Sequence, residues 1–275
     1  MKGRSKDKEP LSPGQSVNLP KTHLTRKRWL FFFASIALGL LTWQLLVLLF
    51  KLPAFILPSP VQVFTRFIKA LREGLIQRHL FATLLEILLG LLAGTFFSTL
   101  IGFLLAKSKA AEKLLSPYLV ASQAIPVVAI APLLVIWFGP GLLSKVLICS
   151  LTVFFPVLIN TVVGLREVPQ DLHNLMRSLR ASSIKTLWFL EIPSALPIFL
   201  GGLRVGATLS VIGAIVGELV GSDRGLGFLI NVGRGQYDTA LVFVAVITLV
   251  IMASLLYGSV LLIEKRVLAW QTWRE

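Results

Sequence analysis

The sequence holds little of what a reaction centre is built from. Among its 275 residues there is one cysteine, Cys149, so neither an intrachain disulfide nor a multi-cysteine metal site can form. In its apolar stretch it reads as a small core residue. The three histidines, His23, His79 and His173, fall in separate segments and have no metal-ligand spacing. No GxSxG elbow and no GxxxxGK[ST] loop occurs, which excludes a hydrolase-type serine and P-loop binding of ATP by this chain alone. Acids are scarce, 13 against 27 Lys and Arg for a net charge of +14, and they lie in different segments. A general acid and base pair is therefore not expected, nor is any cofactor.

Charge of either sign is sparse as well. Only 15% of residues are charged while 55% are hydrophobic, and the mean hydropathy is +0.82. Such a composition cannot clothe a globule in water, whereas a bilayer asks for no charge at its waist. The basic residues sit beside apolar runs instead of forming a stripe with aromatics, so a membrane partner is expected and nucleic acid is not.

About 20 apolar residues cross a bilayer, and six stretches qualify: residues 29–50, 81–106, 118–138, 142–164, 198–220 and 240–263. The expected fold is all-α, a polytopic membrane protein with six transmembrane helices. Residues 1–28 read as a basic, disordered cytoplasmic tail, and 29–275 as the membrane domain. With the N-terminus in the cytoplasm, 18 of the 27 Lys and Arg fall on the inner side, which puts both termini there. Between the first two spans, VQVFTRFIKALREGL places Phe64, Phe67, Ile68 and Leu71 on one face and reads as a helix on the outer surface.

The fifth span carries Gly202 with Gly206 and Gly213 with Gly217, spacings that let helices approach closely in lipid. Pro126, Pro132 and Pro156 interrupt the third and fourth spans, and such breaks favour elements beside a wet path. Three ionisable residues lie within spans: Glu86 and Arg204 near span ends, and Glu218, which follows the glycine face. Lys145 reads as a span-edge residue. The pathway candidates are Pro126, Pro132, Asn160, Gly213, Gly217 and Glu218. The stretch GSDRGLGFLINVGRG reads as a flexible external loop with turn glycines.

One cytoplasmic segment, residues 165–197, breaks the hydrophobic pattern with DLHNLMRSLRASSIKTLWFLEIPSALP. Leu172, Leu175, Met176 and Leu179 follow i, i+3, i+4, i+7 and share a helical face. Asp171 is placed to cap that helix, and Ser182 or Ser183 a second one. Pro193 and Pro197 are expected to end the element before the fifth span. On pattern alone, the stretch fits an interfacial connector as well as a docking element.

The stretch resembles the EAA loop of ABC-importer permeases, Glu-Ala-Ala, three residues, Gly, nine residues, I-x-L-P. Its ending aligns on Leu190, Glu191, Ile192 and Pro193. Asn174, Leu175 and Met176 occupy the Glu-Ala-Ala positions and Arg180 the glycine, where a left-handed turn is usual. The segments LPSPVQVF, IPVVAIAPLLVIWFGPGLLSKV, FFPVLINTVVGL and GGLRVGATLSVIGAIVGELVGSDRGLGFLI are similar to the nitrate, sulfonate and taurine branch, and within it to members importing riboflavin or the thiamine pyrimidine precursor.

The resemblance implies a permease subunit in a bacterial or archaeal cell membrane. It forms the path for a small solute delivered by an external binding protein, with a second copy or a paralogue. ATP hydrolysis then belongs to separate ATPase subunits, and this chain is not itself an enzyme. Residues implied in gripping the ATPase are Asn174, Leu175, Met176, Arg177, Leu179, Arg180, Ala181, Ser182 and Pro193, with Arg177, Arg180 and Ser182 supplying polar contacts. A sulfonate, taurine or nitrate permease and an ATP-independent secondary transporter are the competing readings. The latter calls for inverted repeats or buried titratable relays.

Overall fold

A computed structural model of the chain describes residues 23–270. The tail read as disordered lies outside the described residues up to position 22. Among the described residues there are eleven α-helices, one π-turn and no strand. The chain divides into two units, residues 1–51 and 52–275. In the first, α1 (His23–Phe50) is long and apolar enough from Phe33 to Phe50 to cross a membrane.

The second unit opens with α2 (Pro60–Arg72). Ser59 Oγ accepts from the Gln62 amide at 3.3 Å, and Gln62 Oε1 accepts from the Ser59 amide at 2.8 Å, a reciprocal cap. This helix buries Val63 and Ala70 and leaves Phe64 and Leu71 exposed. Arg66 Nε donates to Asp238 at 2.7 Å, fastening α2 to the start of α11 (Thr239–Val267).

At the centre, α6 (Leu142–Arg166) is gripped from two sides by α3 (Leu75–Lys107) and α9 (Ile192–Val220). Without water to drive association in lipid, helices gain from close van der Waals approach, which small residues permit. A Cβ on Gly90 of α3 would lie 2.2 Å from Cys149 Cβ, and one on Gly213 of α9 would lie 2.9 Å from Cys149 Cα. Cys149 is thus clasped between two glycines. On α3 the buried row Gly90, Gly94, Ser98 and Gly102 repeats every four residues against α6, a stripe the reading of the fifth span alone did not reveal.

Three expectations need correction. Residues 118–138 are not one straight span: α4 (Lys109–Gln123) and α5 (Val127–Phe138) meet at 95°. Pro126 lacks an amide hydrogen and turns the residue before it away from helical geometry, which ends α4. Pro193 and Pro197 do not end the second helix of the 165–197 segment. Residues Ser183–Val220 form one 38-residue helical run, α8 (Ser183–Thr186), a π-turn (Leu187–Glu191) and α9. The π-turn widens the backbone just where the Pro193 ring would meet the preceding turn.

The glycine-rich stretch read as a flexible external loop is helical instead, since Leu226–Gly235 forms α10 with Leu226, Gly227, Leu229 and Gly233 buried. Lys145 keeps the span-edge position expected of it, in the first turn of α6, and is 1% exposed there. Among the described residues, five helices are long and apolar enough to span a membrane, and six if the bent pair counts as one.

Candidate functional site

The polar interruption folds as α7 (Gln170–Ser178), a corner, and α8. Pro169 begins α7, and Asp171 lies in the first turn without capping it, so the cap expected from Asp171 is not made. Its charge still favours the positive end of the helix dipole. At the other end Arg180 is left-handed, with φ of +52°. The Ala181 amide donates to the Met176 carbonyl at 3.0 Å and the Arg180 amide to the Arg177 carbonyl at 2.9 Å. These two bonds define a Schellman motif with Arg180 in the position usually held by glycine. A non-glycine residue there costs about 1–2 kcal/mol, so the turn is held against its intrinsic preference. Ser182 Oγ then accepts from the Lys185 amide at 3.4 Å and starts α8.

The apolar face of α7 has no cover. Leu172 is exposed, as are Leu175 at 54% and Leu179 at 68%, and Ile184 continues the patch on α8 at 71%. Asn174, Arg177 and Arg180 are exposed beside it, while Met176 and Ala181 are half-buried. Pro193 is half-buried in the first turn of α9. The structure therefore gathers the predicted coupling residues into one projecting corner, with Pro193 behind it.

Beneath the corner lies a residue that periodicity did not mark as functional. Glu191, 4% exposed, ends the π-turn. Lys107 Nζ, at the end of α3, donates to both its carboxylate oxygens at 2.5 Å. His173 Nε2, on α7, lies 3.3 Å from Glu191 Oε1. The signal available in the sequence was an acidic residue set between Leu190 and Ile192, since burial of a carboxylate requires partners.

At the opposite end, acids from different segments do come together. Lys145 Nζ lies 3.2 Å from Glu86 Oε1 and donates to Ser222 Oγ at 2.6 Å. Glu218 sits beside Glu86, and its Oε1 accepts from Thr83 Oγ1 at 2.6 Å. Three amides at the start of α10 find acceptors on other helices: Gly225 on His79 Nδ1 at 2.9 Å, Leu226 on Thr83 Oγ1 at 2.8 Å, and Gly227 on Glu218 Oε2 at 2.5 Å. Gly225 adopts φ of +108°, and a Cβ there would fall 2.0 Å from Glu218 Oε1. This end is a polar knot that docks α10 onto α3 and α9. Nearer the other end of α9, Arg204 pairs with Glu264.

The six pathway candidates separate into two groups. Pro126 and Pro132 lie on the exposed side of the α4–α5 bend. The other four sit in helix contacts: Asn160 against Gly202 with its amide donating to the Pro156 carbonyl at 2.7 Å, Gly213 and Gly217 against α6, and Glu218 in the polar knot.

Comparison with known proteins places this architecture. The chain is 45% identical over 237 residues to a riboflavin transport system permease protein of Chloroflexus aurantiacus, covering 86% of this chain and 88% of that one. It is 37% identical over 217 residues to a formylaminopyrimidine transport permease protein of Halalkalibacterium halodurans, covering 79% and 86%. An inward-facing structure of the MetNI methionine ABC transporter superposes with a TM-score of 0.61 at 19% identity, over 70% of this chain and 95% of that one, a likeness of fold. Residues 98–269 match the family of binding-protein-dependent transport system inner membrane components, and the chain belongs to that family.

Proposed function

We propose that this chain is the permease subunit of an ATP-driven importer for riboflavin, and that α7 is the element its ATPase subunit grips. The observation that carries the coupling role is the uncovered row Leu172, Leu175 and Leu179 on a short helix closed by the left-handed turn at Arg180. Apolar side chains in such a row gain free energy only when a partner covers them, and a stiff helix transmits a displacement that a polar loop would absorb.

The orientation that places 18 of the 27 basic residues inside puts this corner in the cytoplasm with both termini. ATP closes the ATPase pair, α7 moves with it, and access to the path alternates between the two sides. Coupling of this kind requires the corner to bind differently in the two states. A second copy of the chain, or a paralogue, completes the path across the exposed face of α9 that carries Val205, Thr208 and Ile212 and across the α4–α5 bend with Pro126 and Pro132. Asn160, Gly213, Gly217 and Glu218 shape it from behind by fixing α9 on α6 and α10. An external binding protein delivers the substrate. The riboflavin assignment is supported by the 45% identity to a riboflavin permease over most of both chains.

The test is uptake of labelled riboflavin by a bacterium lacking its own flavin importer, supplied with this chain, its ATPase and its binding protein. Riboflavin uptake that stops when the ATPase is omitted supports the reading. ATP-dependent uptake of formylaminopyrimidine or taurine without riboflavin reassigns the substrate, and riboflavin uptake that persists without the ATPase overturns the importer class.

A further inference from the structure

We infer that Glu191 is a positioning residue for energy coupling: through Lys107 and His173 it straps the gripping helix α7 to α3 and α9, so that movement of α7 is passed to the membrane helices. The inference rests on the reading of α7 as the ATPase handle and adds how that handle is joined to the rest.

The need for such a joint comes from how little holds α7. No residue of this nine-residue helix is buried, and only His173 and Met176 are half-buried. A helix tied at its two chain ends alone pivots about them, and a pull on its outer face is spent in rotation at the corner of residues 179–182. A third attachment point removes that pivot. Within α7, His173 is the side chain that provides one, with Nε2 at 3.3 Å from Glu191 Oε1.

Glu191 is suited to receive the load. It is buried, and both oxygens are engaged by the Lys107 ammonium at 2.5 Å. A buried carboxylate holding an ammonium and an imidazole resists separation, because loss of the ammonium leaves its charge unpaired away from water and loss of the imidazole removes a hydrogen-bond partner. It also belongs to the same continuous run as α9, whose exposed face includes Thr208. The π-turn sets its direction. One extra residue rotates the downstream backbone by about 100° relative to α8, so that Ile184 faces outward while Glu191 faces inward. Lys107 completes the triangle at the last residue of α3, with its ammonium 5.9 Å from the Phe103 ring centroid. Load on α7 thus reaches two membrane helices at one buried point.

The experiment uses the assembled transporter, this chain with its ATPase, with a cysteine introduced by Thr208→Cys as reporter and the buried Cys149 left in place. The probe is a maleimide, and labelling is compared without nucleotide and with ATP plus vanadate, so no knowledge of the substrate is needed. The unmodified strap is expected to give a several-fold nucleotide-dependent change in labelling. Glu191→Gln and His173→Ala are expected to retain the ATPase subunit and its hydrolysis while the change falls to near one-fold. Glu191→Lys is expected to abolish the change, and Lys107→Glu added to it to restore most of it.

A purely structural role predicts a different pattern, in which assembly, hydrolysis and labelling fall together and the charge exchange rescues none of them. That pattern, or a Glu191→Gln complex that switches like the parent, overturns the strap. A parent transporter that fails to bind an ATPase, or binds one and shows no nucleotide-dependent change, overturns the reading of α7 itself, which separates the two failures.

Discussion

Truncating Leu175 and Leu179 together to alanine removes the centre of the uncovered face without touching what holds the chain folded. Full burial of a leucine side chain contributes about 1.5–3 kcal/mol. Leu175 and Leu179 are 54% and 68% exposed, so more than half of that gain is still unrealised in this chain. Each therefore offers a partner about 1–2 kcal/mol, and the pair about 2–4 kcal/mol, which corresponds to a loss of roughly 30- to 700-fold in affinity on truncation. Titration of the ATPase subunit onto the chain in lipid nanodiscs measures this directly. Thermal unfolding of the variant should stay within about 0.5 kcal/mol of the parent, as for other exposed positions. An ATPase affinity unchanged within twofold would refute the argument that these leucines face the ATPase.

The packing and the polar knot carry three further expected outcomes. Gly90→Val should lower the melting temperature by the equivalent of about 2–3 kcal/mol or more, since its Cβ would meet Cys149 Cβ at 2.2 Å, whereas Gly258→Ala, with nothing within 4 Å, should be neutral or slightly stabilising. Lys145→Met leaves Glu86 buried beside Glu218 without its cation and should cost about 3–5 kcal/mol, most of it recovered by adding Glu86→Gln; a chemical-denaturation double-mutant cycle reads the coupling. Glu218→Ala takes the acceptor from the Gly227 amide, at about 1–3 kcal/mol, while the Thr83 hydroxyl keeps the His79 carbonyl at 3.1 Å, and the change should speed hydrogen exchange in α10 while leaving α7 unchanged.

The parts of this molecule legible in its sequence are those where local pattern and tertiary role coincide. Leu172, Leu175 and Leu179 keep helical spacing because one face of α7 is apolar, and the glycine pairs of α9 mark a helix surface pressed against a neighbour. Arg180 was legible only as the residue standing where glycine usually makes a left-handed turn, a conformation arginine disfavours; the structure keeps the turn left-handed all the same. Partners distant along the chain were invisible. α10 is a helix because its first amides are met by His79 and Thr83, 146 and 143 residues away, and a local reading of its glycines sees only turns. Lys145 is an edge residue by position, and its burial is hidden in the sequence because its partner Glu86 is on another helix. The α4–α5 bend is hidden for a further reason: hydropathy records how apolar a segment is and not which way it runs, so Pro126 marks a break without giving its 95° angle.

Backbone hydrogen exchange of this chain in lipid, with and without its ATPase subunit, tests the central claim most directly. A nine-residue helix with no buried residue should exchange quickly when free. The account predicts that binding of the ATPase slows exchange across residues 170–189 and leaves α10 and the α2 surface as they were. Stable binding of an ATPase with residues 170–189 exchanging as fast as in the free chain would contradict it.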